Sequence, residues 1–233
     1  MSSSLKRAPE ESRSGNRERP NSKGAATRQI ILEKAERLFA ERGIAAVSLR
    51  DIGAAAGQKN NVAVQYHFGN RENLLRAITS YRASASEKVR AEALADLLAQ
   101  GRTPRVRDLV RAFALSLATH LERDNYYLMF LSRYIVEYGG DAGLEHTVPS
   151  STVSTFMSLL HRLLPDHPQS VLDERWMVMM TTTVHTLARY QTAAQAGTLP
   201  APLPELIDDL VDFLTGGLES TPQRAGKDPA PAA

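Results

Sequence analysis

The sequence predicts an all-α protein, with a small N-terminal unit of three helices joined to a larger helical bundle, about nine helices in total. Three observations carry this. Apolar residues recur at helical spacing in one segment after another of the 233-residue chain. Glycine and proline fall mainly between those segments. No stretch alternates apolar and polar residues as a half-buried strand would.

The first helix is expected from Thr27 to Arg42, with Ile30, Ile31, Ala35, Leu38 and Phe39 on its inner face. Thr27 suits its N-cap, where free amide groups can also meet a phosphate, and Gly43 stops it. The second helix begins at Ser48, which with Asp51 has the spacing of a capping box, and ends at Gly57. Leu49, Ile52 and Ala56 point inward. Ala54, Ala55 and Ala56 are small enough for another helix to come close. The third helix is expected from Asn60 or Asn61 to His67, anchored by Ala63, Val64 and Phe68. Gly69 then permits a sharp turn, and Asn70 caps a fourth helix.

That fourth helix runs from Arg71 towards Leu98, and its polar, alanine-rich middle from Ser80 to Lys88 suits a connector between domains. Further helices are expected over Arg105 to Glu122, Asn125 to Tyr138, Ser151 to Leu164, Val171 to Ala196 and Glu205 to Leu218. Gly101, Pro104, Gly139, Gly140, Pro149, Pro165, Pro168 and Gly197 separate them. The domain division is then 1–24 as a disordered basic arm, 25–72 as the three-helix unit, 73–219 as the bundle and 220–233 as a disordered tail.

The third helix has the wrong side chains for a buried element. It leaves Lys59, Asn60, Asn61, Gln65, Tyr66 and His67 facing outward. Asn and Gln pair bidentately with an adenine edge, and Lys reaches guanine or phosphate. Tyr and His donate to phosphate oxygens, which sets docking register. Helix, glycine turn and polar second helix together form a helix-turn-helix layout for double-stranded DNA. The expected DNA-contacting set is Thr27, Ser48, Arg50, Lys59, Asn60, Asn61, Gln65, Tyr66, His67, Asn70 and Arg71. Arg71 opposes the dipole at a helix N-terminus, a cost that makes sense if it faces a phosphate.

Thr27-Arg-Gln-Ile-Ile-Leu-Glu-Lys-Ala, Leu38-Phe39, Gly43, Ser48-Leu-Arg-Asp-Ile, Ala56-Gly57 and Tyr66-His-Phe-Gly-Asn-Arg-Glu-Asn-Leu-Leu75 together resemble the DNA-binding domain of the TetR/AcrR family of bacterial transcriptional regulators. The resemblance covers residues 27 to about 76. Two features depart from the common pattern: Gln65-Tyr66 stands where an aromatic pair is usual, and the turn after Gly57 is one residue longer. The resemblance implies a homodimer in which the last two helices of each chain form a twofold four-helix bundle. Two reading heads one DNA turn apart on a palindromic operator follow from that symmetry. It also implies a small effector molecule bound in the body.

Charge is distributed to match. Residues 1–82 carry 15 Lys/Arg against 8 Asp/Glu, and residues 83–233 carry 13 against 18. A basic head on an acidic body fits one end facing a polyanion. The N-terminal arm adds Lys6, Arg7, Arg13, Arg17, Arg19 and Lys23, which could lie along DNA. There is no cysteine, and no apolar run long enough to span a membrane, so a cytoplasmic, nucleoid-associated protein is expected. No metal or cofactor is expected, and no enzyme. The chain has no His-Glu-x-x-His and no Gly-Lys-Ser/Thr loop, and its six histidines are scattered.

Met and aromatic residues are concentrated in the body and suit an adaptable apolar pocket. The candidate effector set is Phe113, Leu117, His120, Met129, Phe130, Arg133, Tyr134, Phe156, Met157, His161, Trp176, Met179, Met180 and Thr183. His120, Arg133, His161, Thr183 and also His185 are the candidate orienting polar groups, with Arg133 or a histidine to meet an acidic or polar function. The expected dimer contacts are His185, Ala188, Thr192, Leu206, Leu210, Phe213 and Leu214. The reading is a ligand-responsive regulator, most simply a repressor released by a small, mainly apolar molecule. The alternative is a DNA-binding architectural or adaptor protein of the same fold with no ligand.

Overall fold

The computed structural model describes residues 20–58, 62–139 and 151–221. Those residues form nine helices and no strand: α1 (Pro20–Arg42), α2 (Leu49–Ala55), α3 (Ala63–Phe68), α4 (Arg71–Ala99), α5 (Val106–Ala118), α6 (Tyr127–Tyr138), α7 (Ser151–Leu163), α8 (Gln169–Ala196) and α9 (Leu203–Glu219). The expected all-α class and helix order are observed.

The first helix starts seven residues before Thr27. Residues 20–24, expected in a disordered arm, are therefore helical. Once the packed turns around Ile31 exist, each residue added in front gains a backbone bond without a new nucleation cost. Lys23 to Ala26 stay exposed on this extension. Residues 1–19 lie outside the described residues, as does most of the expected C-terminal tail.

The three-helix head has its own apolar centre. Ile31, Leu32, Ala35 and Phe39 of α1 meet Ile44, Val47, Ile52, Val64 and Phe68, and Leu74, Leu75 and Ile78 of α4 close it from below. Its chain reversals are made by hydrogen bonds. The Gly43 N–H donates to the Phe39 carbonyl at 3.0 Å, with φ at +89°. Ser48 and Asp51 form the capping box of α2: the Asp51 amide donates to Ser48 Oγ at 3.1 Å and the Ser48 amide to Asp51 Oδ2 at 2.9 Å. Asn70 Oδ1 accepts from the Asn73 amide at 2.8 Å and starts α4.

From that cap α4 runs 29 residues, about 44 Å at 1.5 Å per residue, into the body. There it packs on α5 and α7; α9 lies on α5 and α8, and α6 on α8. The helix expected to end at Glu122 stops at Ala118, because the next amides turn back to carbonyls three residues away, His120 to Leu117 and Leu121 to Ala118, at 3.0 Å each.

Head and body are joined by more than α4. Helix α6 lies along α1, with Phe130 against Phe39 at 6.2 Å between ring centres. Glu137 accepts the amides of Ile44 and Ala45, both at 3.0 Å, at the turn between α1 and α2. Arg133 Nε donates to the Ala40 carbonyl at 2.7 Å. On the α4 side, the Arg82 guanidinium grips buried Glu36 through two bonds of 2.7 and 2.8 Å. Gly43 sits where these meet: a Cβ there would lie 3.4 Å from Glu137 Oε1 and 3.6 Å from Arg133 Nη1.

Candidate DNA-reading surface and the polar core of the body

Helix α3 is split by side. Val64 and Phe68 are buried in the head, while Gln65 and Tyr66 project outward, Tyr66 with 84% of its surface exposed. Val64 lies 3.6 Å from where a Cβ on Gly53 would sit, so the two helices of the motif touch through a glycine. His67 is half-buried and meets Tyr66 edge-on at 5.2 Å. Lys59, Asn60 and Asn61, three of the expected contacts, lie outside the described residues.

Around α3 the expected residues have different fates. Arg50 is exposed in the first turn of α2. Ser48 is exposed too, but its hydroxyl is used in the α2 cap, where it donates to Asp51 Oδ2 at 2.6 Å. Those bonds, with the Ser48 amide, hold the Asp51 carboxyl below its usual pKa. The Asn70 side-chain oxygen is likewise committed to its cap.

Two expectations are corrected. Thr27 is not an N-cap but an interior residue of α1, so its amide is not offered to a phosphate. Arg71 does not face outward either. Its half-buried guanidinium donates to the carbonyls of Ile44 and Val47, the latter at 2.6 Å, and so pins the loop before α2 onto the start of α4. Open carbonyls in the α1–α2 loop take up the charge that a phosphate was expected to balance. Arg28, which sequence reasoning passed over, stands 4.8 Å above the Phe68 ring at the edge of α3. Its signal was only a basic residue on the polar face of α1.

In the body, the candidate effector residues fall into two groups. Phe113, Phe156 and Trp176 form one cluster, with Trp176 5.7 Å from Phe113 and 6.2 Å from Phe156. Leu117, Met179, Met180 and Thr183 are also buried, and Met157 is half-buried. Thr183 donates to the Met179 carbonyl in its own helix at 2.8 Å. The second group lies along α6: His120, Tyr127, Phe130 and Tyr134 follow one another at 4.8, 6.4 and 5.9 Å. Phe130 belongs to the contact with α1, so this row lies on the head–body boundary.

Two proposed orienting groups are elsewhere. Arg133 is exposed at the head, tied to Ala40, because α6 turns that face towards α1. His161 bonds Asp173 at 2.9 Å between α7 and α8, near the surface. An apolar groove of about 250 Å³ lies between α5 and the start of α9, lined by Leu115, Leu121, Leu203 and Ile207 and flanked by the Arg111–Asp208 pair. None of the candidate effector residues lines it.

Apart from His120, sequence reasoning missed a polar core. Ser86, Arg90, Ser116, His120, Asn125, Thr152 and Gln191 are all buried. Ser86 Oγ bonds His120 Nε2 at 2.8 Å, and Asn125 lies 3.3 Å from the other ring nitrogen. Gln191 Nε2 donates to the carbonyls of His120, Glu122 and Asn125 at 3.1, 3.1 and 2.7 Å, closing the α5–α6 turn onto α8. Burial, and then the charges of Arg82 and Arg90, push the His120 imidazole down to about 4, so it is neutral in the core. Ser86 and Arg90 lie four residues apart on one face of α4, a spacing that could have marked them.

The expected dimer residues also divide. Ala188, Leu210 and Leu214 are buried within the protomer, where α9 packs on α5 and α8. They are corrected to intramolecular core. His185 is half-buried and bonds Ser132 on α6 at 2.6 Å. Leu206 is half-buried against the core. Thr192 and Phe213 are exposed, Phe213 by 74%.

Among the described residues, no helix is long and apolar enough to cross a membrane, and no His, Asp and Glu cluster could hold a metal ion. Residues 31–78 match the family model described as bacterial regulatory proteins, tetR family, and residues 108–217 match the tetracyclin repressor-like C-terminal domain. The chain is 39% identical over 83 residues to the HTH-type transcriptional repressor Rv3405c of Mycobacterium tuberculosis, 35% of this chain and 44% of that one. It is 39% identical over 66 residues to the HTH-type transcriptional repressor AcnR of Corynebacterium glutamicum, 28% of this chain and 35% of that one. The matched stretches thus span less than half the length of these relatives. The fold is similar to that of a TetR family transcription regulator from Marinobacter aquaeolei VT8, with a TM-score of 0.50 and 19% identity over 84% of this chain and 97% of that one. The two family models cover head and body in turn, and the chain belongs to the TetR family of helix-turn-helix transcriptional regulators.

Proposed function

We propose that this protein is a homodimeric, effector-responsive repressor that binds a palindromic operator through α3 and leaves it when a small, mainly apolar molecule enters the body. The observation that carries the DNA half of this reading is α3 itself, with Gln65 and Tyr66 outward and Val64 and Phe68 held in the head. Gln65, Asn60 and Asn61 read base edges, Lys59 meets guanine or phosphate, and Tyr66, His67 and Arg50 meet the backbone. The reading head is taken as residues 25–72 and the body as residues 73–219. Two copies pair through α8 and α9, with exposed Phe213 and Thr192 on the contact face.

The effector acts on α4, whose N-terminal cap follows α3 by one turn. A shift of α4 takes the two heads out of register with successive major grooves. By linkage, an effector that prefers the DNA-free form weakens DNA binding by the factor by which DNA weakens effector binding. If saturation with every compound that binds the body leaves operator affinity unchanged, this mechanism is wrong.

The test is a titration of the protein against the DNA directly upstream of its gene, at two salt concentrations, beside a scrambled duplex. A preference of at least about a thousandfold, with a palindromic footprint, supports the reading. Equal binding to both duplexes that vanishes with salt supports the architectural alternative.

A further inference from the structure

We propose that the effector is an apolar monocarboxylic acid and that Arg90 receives its carboxylate. This rests on the effector-responsive reading above and names the chemistry of its ligand.

A guanidinium is rarely taken 95% out of water, because burying a charge is costly unless its partners replace the solvent. Each of the three Arg90 nitrogens makes one bond among the described residues, so two of its five N–H groups are left without one there. Its bonds to described residues are Nη2 to Glu87 at 3.0 Å, Nη1 to the Ser116 hydroxyl at 3.2 Å and Nε to the Thr152 hydroxyl at 3.3 Å. Two of these are long bonds to neutral acceptors. Glu87 is shared, since its carboxylate also accepts from the Thr152 hydroxyl at 2.7 Å and the Thr152 amide at 3.2 Å. An arginine has five N–H donors arranged to match a carboxylate two at a time.

The neighbourhood favours an anion with an apolar body. The Arg90 guanidinium stands 5.8 Å from the Phe113 ring, which also meets the Trp176 ring at 5.7 Å. The Trp176 indole N–H is buried and has no hydrogen-bond acceptor among the described residues, an uncommon state for a buried donor. The nearby Arg82 already serves Glu36 in the head–body contact. Of the groups the sequence offers for an acid, Arg133 and His161 lie outside this core, and His120 within it is held neutral by burial and the two arginines, so it supplies no competing charge. The cation positioned for it is Arg90, on the helix that leads to the reading head. A carboxylate there competes with Glu87, which holds the start of α7 against α4, and so loosens α4 from its neighbour.

Trp176 is the one tryptophan of the chain, so its emission reports entry beside Phe113. The probes are phenylacetate and octanoate, each beside its neutral amide, titrated into the full-length protein. Both acids should give saturable changes in Trp176 emission, with each amide at least about tenfold weaker. Arg90→Gln should lower acid affinity by about tenfold or more and leave the amides unchanged, and Arg90→Lys, which keeps charge but loses the planar fork, should fall between. Far-UV circular dichroism checks that Arg90→Gln folds; where it does not, Arg90→Lys must weaken the acids more than the amides. Amides that bind as tightly as the acids, or variants that weaken both equally, overturn the acid assignment and leave the effector reading standing. Silence of Trp176 towards all four probes also overturns it. The effector reading is judged separately, by whether any compound releases operator DNA.

Discussion

At the scale of single residues, the cost of removing a partner depends on which group is left behind. Glu36 is almost wholly buried, while Arg82 still touches solvent. Arg82→Ala leaves a buried carboxylate alone and should cost about 3 kcal/mol in urea unfolding. Glu36→Gln leaves a guanidinium that can hydrate, and should cost less than half as much. Equal losses would mean that the pair is effectively at the surface. His120 makes a pH prediction of definite sign. Its folded pKa, near 4, lies below the ordinary 6.5, so the unfolded chain takes up the proton first. The stability it contributes is complete above about pH 6.5 and is lost as pH falls towards 4. Melting temperature should therefore drop more steeply across that window in the native protein than in His120→Gln, and parallel curves would refute the assignment.

At the scale of elements, α3 and α6 have separable duties. Tyr66→Ala and Gln65→Ala remove exposed side chains, so stability should change by no more than about 0.5 kcal/mol. Operator affinity should fall by about tenfold for each, and a gel-shift titration decides it. Helix α6 grips the head through Glu137, which caps the amides of Ile44 and Ala45. Glu137→Ala should make those two amides exchange with deuterium markedly faster while the core amides of α8 are unaffected. Unchanged protection at Ile44 and Ala45 would show that the loop holds itself. Because Ser132 on the same helix bonds His185 of α8, α6 is a second physical link between body and head beside α4.

At the scale of the whole molecule, exposure separates pairing from folding. Phe213→Asp changes a side chain open to solvent on α9 and should convert dimer to monomer in analytical ultracentrifugation, with little loss of helix. Leu214, the next residue, is buried, and Leu214→Ala should instead cost about 2–4 kcal/mol of stability. A dimer that survives Phe213→Asp would move the interface away from this face of α9.

The sequence by itself determined what is local in origin. Helical class and order, the capping box of Ser48 and Asp51, the Asn70 cap and the outward chemistry of α3 depend on neighbours within a turn or two. They could be read from spacing, and apart from the seven-residue extension of α1 before Thr27 the helix ends differed by only a few residues. Tertiary structure alone decided the fate of the polar residues. Arg71 reads as facing a phosphate and Arg133 as meeting an effector until the carbonyls of Ile44, Val47 and Ala40 come within reach. Ser86 read as part of the polar middle of a connector, and Arg90 carried no reading, until α5 and α7 covered that face of α4. Leu210 and Leu214 were assigned to a partner chain until α5 and α8 buried them in their own. A side chain's periodicity is a property of its own helix, but its burial and its hydrogen-bond partner depend on which distant helix crosses it, and that is fixed only when the chain closes.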